Sequence, residues 1–227
     1  MPPTRRRTED ARDTGSGSEV KRVTRKWLRE RQDDSYYRRA KEDGFRSRAT
    51  YKLFQISKPH NLIKPGDVVV DLGAFPGGWI QGARLLVGEE GFVLGIDRKP
   101  IKAFAWSNVK TLVGDITLLE AKAIWDELPR KADVILSDVS PNLSGIWEVD
   151  HARQMALARQ SVALARVLLC RGGNLLVKAF QGEAFKEFLD AVKARFHSVK
   201  VVKPKASRKR SAEVYIVARG FDVHGGK

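Results

Sequence analysis

The chain has 227 residues, 42% of them hydrophobic, and a formal net charge of +15. That length suits one α/β domain with appendages, and the apolar content is enough for a sizeable core. The charge excess points to a polyanionic partner, nucleic acid first and anionic membrane second; no apolar run approaches the roughly 20 residues that span a bilayer, and the N-terminus has charge without the apolar segment of a secretory signal, so membrane is the weaker option. The single cysteine, Cys170, excludes an intrachain disulfide and reads as a small core residue in an apolar helical pattern. His60, His151, His197 and His224 are scattered without metal-ligand spacing, so no metal site is expected. The composition is that of a reducing cytosol, which places the expected location in the cytoplasm.

Residues 1 to about 20 are Pro, Arg, Thr, Asp, Gly and Ser with almost no apolar content, which predicts disorder. From Lys21 to Arg39, Trp27, Leu28, Tyr36 and Tyr37 are interspersed among Arg25, Lys26, Arg29, Arg31, Arg38 and Arg39. Arginine beside aromatic rings suits phosphate contact with base stacking. A solvated tail, or a helix docked on the body through its aromatics, fits the same pattern. Residues 44–56 read as a helix whose Ala49, Leu53 and Ile56 face the body, with Arg46, Arg48 and Lys52 off that stripe. A turn at residues 64–67 launches the first strand.

Strands and helices then alternate. The pattern predicts a strand at 68–72, a helix at 78–87, a turn at 88–91 and a strand at 92–97 that ends in Asp97. A strand at 108–113, a helix at 117–128 and a strand at 132–137 follow. A long helix over 148–170 puts Met155, Ala158, Val162, Ala165 and Leu169 on one face, and Arg171, Gly172 and Gly173 end it. A strand at 174–177 ends at Lys178, a helix covers 183–195, and 199–202 with 214–217 suit a hairpin pair at one sheet edge. This is the order of a doubly wound α/β sheet. The expected organisation is a basic extension over residues 1–40, one domain over 41–221 and a tail over 222–227. Residues 191–212 hold eight Lys and Arg and no acid, the footprint of a phosphate-binding loop at a sheet edge; a solvated loop is the plainer alternative.

Residues 68–79 are the pivot of the chain. A β-branched run ends in Asp71, a Gly-rich turn follows, and a helix starts. Ligands of such sheets bind at the carboxyl ends of the strands, where the turn from Gly73 to Gly78 would lie. Asp71 can accept hydrogen bonds from loop amides or from a cationic ligand. The turn lacks the Gly-Lys-Ser/Thr ending of a P-loop and the G-x-G-x-x-G of a dinucleotide site. Asp97 stands where an acid commonly bonds the ribose hydroxyls of an adenosine cofactor, and Asp115 after the third strand can bond an adenine amino group.

Four charged residues interrupt otherwise apolar or neutral patterns: Lys52 on the early helix, Asp138 and Lys178 at strand ends, and Glu213 at a strand start. Parallel strands bring Asp138 and Lys178 to the rim that holds the Gly-rich turn. A lysine ending an apolar strand costs desolvation energy unless paired, and Asp138 and Glu213 are its natural partners. Taken singly, each is most simply a structural ion pair.

Together they match a pattern. Asp-Leu-Gly-Ala-Phe-Pro-Gly-Gly-Trp resembles the first motif of S-adenosylmethionine (AdoMet)-dependent methyltransferases, and its Pro-Gly-Gly-Trp ending is similar to the FtsJ/RrmJ branch, which methylates ribose 2′-hydroxyls of RNA; the Phe75 position is usually Ala there. The order Lys52, Asp138, Lys178, Glu213 resembles the Lys-Asp-Lys-Glu tetrad of that branch, in the contexts Arg-Ala-Thr-Tyr-Lys-Leu, Ser-Asp-Val-Ser-Pro, Val-Lys-Ala-Phe and Ser-Ala-Glu-Val-Tyr. The resemblance spans about residues 44–218. It implies a Rossmann-like class I AdoMet-dependent methyltransferase fold, a mostly parallel seven-stranded sheet with an antiparallel edge strand. It implies AdoMet held by Gly73, Gly77, Trp79, Asp97, Asp115 and Asp138. It makes Lys178 the central catalytic residue, oriented by Asp138, with Lys52 and Glu213 positioning the ribose and Lys178. Lys178 would act either as a base or as a cationic clamp on the oxygen; the sequence leaves both open.

The implied substrate is a uridine in large-subunit ribosomal RNA, methylated by a monomer without membrane attachment. A tRNA ribose methyltransferase shares the tetrad. A catalytically silent RNA-binding ribosome-assembly factor would use the basic segments equally well, but the intact tetrad and loop argue against it. A nicotinamide-dependent oxidoreductase is disfavoured by the missing G-x-G-x-x-G.

Overall fold

The computed structural model describes residues 35–207 and 211–222. The expectations for the disordered start, for the part of the arm that carries Trp27, for Arg208, Lys209 and Arg210 and for the end of the tail lie outside the described residues. In chain order the elements are α1 (Ser35–Glu42), α2 (Ala49–His60), β1 (Val68–Leu72), α3 (Gly78–Val87), β2 (Phe92–Asp97), β3 (Val109–Val113), α4 (Ala121–Trp125), β4 (Ala132–Ser137), α5 (Trp147–Leu168), β5 (Leu169–Phe180), α6 (Phe185–Lys193), β6 (Phe196–Val202) and β7 (Glu213–Phe221).

The described strands form one seven-stranded sheet in the order β3-β2-β1-β4-β5-β7-β6. β3 to β5 pair in parallel. β7 pairs antiparallel with both β5 and β6, so the hairpin expected at the sheet edge is there, with β7 on its inner side. Strand order reverses beside β1, and the rim at the carboxyl ends of β1 and β4 is where ligands of such sheets bind.

The period-two alternation of strand side chains sorts the core into two layers. Val68, Val70 and Leu72 pack with Met155, Ala158 and Leu168 of α5 on one face. Val69, Leu136, Leu176, Tyr215 and Val217 pack with Leu53 of α2 and Ile80 and Ala83 of α3 on the other. The same alternation carries Asp71, Lys178 and Glu213 to the α2 face, and it carries Asp138, the residue after β4, there too. The charged interruptions therefore meet Lys52 because they share strand parity with the residues that pack on α2.

Four expectations are corrected. The first helix begins at Ala49 rather than at residue 44, because Gly44 takes a positive φ of 72° and the chain turns back with Phe45 N–H on Ala40 O at 2.7 Å. The helix expected over 117–128 shrinks to α4, because Oδ1 of Asp115 accepts from both the amide and the hydroxyl of Thr117 and turns the chain first. Helix α5 stops at Leu168, and β5 starts at once; Arg171, Gly172 and Gly173 lie within a register shift against β4 rather than at a helix end. Cys170 consequently sits on a strand, half-buried, with its thiol 3.6 Å from Asp133 Oδ1. Upstream, α1 docks on the body through Tyr36 and Ala40 against Tyr51. For residues 35–42 the docked-helix alternative holds.

Candidate active site

A cleft of about 670 Å³ opens at the carboxyl ends of β1, β2 and β4. Gly73, Asp97, Asp115 and Asp138 line it. Gly73 has φ 77°, and a Cβ there would stand 2.9 Å from Val139 Cγ2 and 3.0 Å from Val139 Cα. Only glycine lets the loop after β1 touch the loop after β4 in this way. The two oxygens of Asp97 accept from the amides of Phe75 (3.0 Å) and Lys99 (2.9 Å), which fixes the carboxylate and leaves lone pairs for further donors. The hydrogen bonds from Thr117, backbone first, hold the Asp115 carboxyl below the ordinary range.

Gly77 and Trp79 do not line the cleft. Gly77 has φ 109°, and a Cβ there would meet the Phe104 ring at 2.7 Å and the Arg46 guanidinium at 3.0 Å. The Trp79 indole is buried, donating to Ala49 O at 2.7 Å and lying 5.9 Å from the Tyr215 ring. Any contact they make with a ligand is through backbone, and the Gly77 N–H already donates to Ala74 O at 2.6 Å. Gly77 is the N-cap of α3 and gives no side-chain cap, and helix geometry leaves the first N–H groups of a helix without intrahelical partners. Such an end takes an anionic group such as a carboxylate.

Asp71 departs from its expected role. It is fully buried, and neither carboxylate oxygen has a hydrogen-bond partner. The loop amides that would have served it go elsewhere: Gly73 and Ala74 both donate to Ile96 O, at 2.8 and 3.0 Å, and Phe75 donates to Asp97. Burial first, then the charges of Asp138 and Asp97, push the Asp71 carboxyl well above the usual carboxylate range. A buried acid beside two others is a place where a cation is welcome.

Beside the cleft the four tetrad residues are joined through a fifth, Tyr215. Lys178 Nζ lies 3.0 Å from Asp138 Oδ1 and donates to Asp138 O at 2.8 Å and to Ser140 Oγ. Lys52 Nζ lies 2.7 Å from Glu213 Oε1 and 3.1 Å from the Tyr215 hydroxyl. That hydroxyl in turn stands 2.8 Å from Asp138 Oδ1 and 3.1 Å from Glu213 Oε1. Each carboxylate has its own cation, so every charge of the tetrad is paired. Burial pushes the Asp138 carboxyl up, but Lys178 and Lys52 with the hydrogen bonds from Tyr215 and Lys178 outweigh it, and the net direction is down. Burial, followed by the charges of Asp138 and Glu213, raises the Tyr215 phenol well above its ordinary value, so it stays a donor.

Sequence reading missed several supporting residues. Tyr215 looks like an apolar strand residue; its only signal is its place two positions from Glu213 on the same face. Ser140 sits in the Ser-Asp-Val-Ser context without a predicted role. Gln154 of α5 is buried and donates to both Val139 O and Lys178 O at 3.2 Å, tying the two strand ends that bear Asp138 and Lys178. Arg46, expected to be simply off the helix stripe, latches the Gly-rich loop: its guanidinium lies 3.6 Å over the Phe104 ring and donates to Pro76 O, Lys102 O and Ala103 O.

The sequence profile of the FtsJ-like methyltransferase family matches residues 45–221. This chain belongs to that family. Its relatives include the ribosomal RNA large subunit methyltransferase E of Methanococcus maripaludis strain C7, 47% identical over 87% of this chain and 77% of the relative. The protein of the same name from Methanocaldococcus jannaschii is 44% identical over 88% of this chain and 83% of its own length. A solved Plasmodium falciparum structure described as a ribosomal RNA methyltransferase superposes with a TM-score of 0.68 at 25% identity, covering 78% of this chain and 98% of that one. Like other FtsJ-like methyltransferases, the chain uses AdoMet as methyl donor. The cleft suits it chemically: Asp97 and Asp115 present acceptors for the hydroxyls and amino group of an adenosine, and Asp138 adds a carboxylate that suits positive charge.

Proposed function

We propose that this FtsJ-like methyltransferase methylates the ribose 2′-hydroxyl of a uridine in large-subunit ribosomal RNA, acting as a monomer in the cytoplasm. The observation that carries this reading is the unbroken chain of contacts Lys178–Asp138–Tyr215–Glu213–Lys52 at the rim of the cleft that suits AdoMet. The named relatives support ribosomal RNA as the substrate. The net charge of +15 supports a nucleic-acid partner, with Lys203 and Lys205 of the basic loop exposed. No described helix is long and apolar enough to cross a membrane.

Bound AdoMet supplies an electrophilic methyl group on a sulfonium. The protein must align the ribose oxygen in line with that methyl, and the hydroxyl proton passes to solvent water as the oxygen–carbon bond forms and the sulfur–carbon bond breaks. Lys178 is the group for the alignment. Its Nζ has three acceptors around it, Asp138 Oδ1, Asp138 O and Ser140 Oγ, the number that an ammonium satisfies. That arrangement favours the cationic clamp in the resting enzyme: Lys178 exchanges one of these acceptors for the ribose oxygen and orients its lone pair. Asp138 fixes Lys178 through Oδ1. Glu213 and Tyr215 hold Lys52 so that its positive charge stays near Asp138 and limits how strongly that carboxylate draws on Lys178. Gly73, Asp97 and Asp115 shape the cofactor end, with Gly77 and Trp79 serving through the start of α3.

The test is transfer of labelled methyl from AdoMet to purified large subunits, small subunits and bulk tRNA, followed by digestion to nucleosides. Label on a uridine ribose of large-subunit RNA is the expected result. Label confined to tRNA would replace the substrate, and AdoMet binding without transfer to any RNA would favour an assembly factor.

A further inference from the structure

A second cleft, of about 810 Å³, lies between α1, α2 and the segment after β6. Its floor is aromatic. Tyr36 and Phe45 pack on Tyr51 with ring centroids 5.6 and 5.7 Å apart, and Phe54 lies 5.8 Å from Phe45. Its rim is basic: Arg39, Lys58, Lys203 and Lys205 stand against one carboxylate, Asp43. That carboxylate is already engaged, accepting from the Tyr51 hydroxyl and lying 3.5 Å from Arg39. The three walls are tied by Gln55, which donates to the Tyr36 hydroxyl and accepts from Ala206 N–H, both at 3.0 Å. Tyr36 and Phe54 are only half-buried, while Lys58 and Lys205 are exposed.

This cleft shares its supports with the active site. Tyr51 precedes Lys52 on α2. Ser207, three residues beyond Pro204 of the cleft wall, donates to Glu213 Oε1 at 3.0 Å. Lys52 and Glu213, members of the tetrad, thus adjoin the aromatic cleft through Tyr51 and Ser207. Aromatic rings beneath a ring of cations are the chemistry of single-strand nucleic-acid recognition, in which bases stack while backbone phosphates meet lysines.

We propose that this cleft binds a nucleotide of single-stranded RNA other than the methylated one, its base stacked on Tyr36 and its phosphate held by Lys58 and Lys205. The proposal rests on the reading of the chain as an RNA methyltransferase and adds a place where the strand is gripped outside the reacting ribose. Holding a flanking nucleotide spends binding energy at a distance from the chemistry on orienting the target ribose.

The test uses the full chain and anisotropy of a short labelled single-stranded oligouridine, titrated across salt. The double substitution Lys58→Glu with Lys205→Glu should weaken binding about tenfold or more and flatten the slope of log K against log[salt] by about 1.4, as two lost single-strand phosphate contacts require. Tyr36→Leu should weaken binding about tenfold with the slope retained, and Tyr36→Phe should restore it. AdoMet affinity of every variant, read by calorimetry, should stay at the unsubstituted value, which shows the domain intact. Unchanged affinity in both sets, or weakened binding without a change of slope in the lysine pair, overturns the proposal. Failure of the methyltransferase reading would appear differently, as no methyl transfer by the unsubstituted chain while the cleft still bound RNA.

Discussion

The Tyr215 hydroxyl lies 2.8 Å from Asp138 Oδ1, the same oxygen that takes Lys178 Nζ at 3.0 Å. One carboxylate oxygen thus collects a neutral donor from β7 and a cation from β5, and the tyrosine passes the link on to Glu213 and Lys52. Removing the hydroxyl breaks the connection between the two ion pairs while leaving both intact. Tyr215→Phe keeps the ring that packs against Trp79. It should leave the fold close to unchanged and lower kcat about 10- to 100-fold, the range expected for one hydrogen bond to a charged group, about 1.5–3 kcal/mol. Steady-state methyl transfer at saturating AdoMet checks this; an unchanged kcat would remove Tyr215 from the machinery.

Lys178 has a larger effect because two functions end with it. Lys178→Met retains much of the side-chain volume but leaves the half-buried Asp138 opposite Tyr215 without its cation. Transfer should fall below detection, as loss of the central positioning group predicts. The Asp138 carboxyl should move upward, because its largest stabilising charge is gone. In the unsubstituted protein Asp138 lies below its unfolded value, so the stability it contributes is present above about pH 3.9 and lost as pH falls through the folded pKa. Acid unfolding of Lys178→Met should therefore begin at higher pH. If the two acid-unfolding curves coincided, Lys178 would not be holding Asp138 ionised.

How much of this could be read from residue order follows from what each signal reports. Strand boundaries for β1, β2 and β4 were legible because β-branched runs ending in an acid have few alternative structures. The tetrad was legible because each member breaks an apolar or neutral pattern. Tyr215 was not, since a tyrosine in a strand satisfies the same pattern as its apolar neighbours and only the β5–β7 register, Lys178 opposite Tyr215, brings its hydroxyl to the site. The early start of β5 was hidden because Arg171, Gly172 and Gly173 carry a turn signal whether they end a helix or bulge within a strand. The docking of α1 depended on rings separated in sequence, Tyr36 and Tyr51, whose meeting periodicity cannot express.

Asp71 sets the opposite pH trend from Asp138. Its folded pKa is raised well above the unfolded value by burial and by Asp138 and Asp97. Its contribution is therefore complete below about pH 3.9 and lost as pH climbs towards the folded pKa, because the unfolded chain releases a proton that the folded chain keeps. Asp71→Asn removes this penalty. Without AdoMet, the variant should melt at a higher temperature than the unsubstituted protein at pH 7, and the gap should close towards pH 4. Asp71 does not line the cleft, so AdoMet should raise both melting temperatures without reversing their order. Thermal melts over that pH range, with and without AdoMet, check both statements. Identical melts at every pH would mean that Asp71 has a partner when folded.

Gly73 tests whether the first loop works by close approach. A methyl group there would enter the space of Val139 Cγ2 at 2.9 Å and of the Val139 backbone at 3.0 Å, on a residue already at φ 77°. Neither neighbour is the free end of a flexible side chain, so one loop must shift. Gly73→Ala should cost about 1–3 kcal/mol of stability from the backbone conformation alone. Because the displaced loop carries Val139 beside Asp138, AdoMet affinity should fall more than stability does. Calorimetry on the folded variant reads this directly. Wild-type affinity with lowered stability would assign Gly73 to the fold only, and the cleft would then owe its shape to the Asp97 side of the loop.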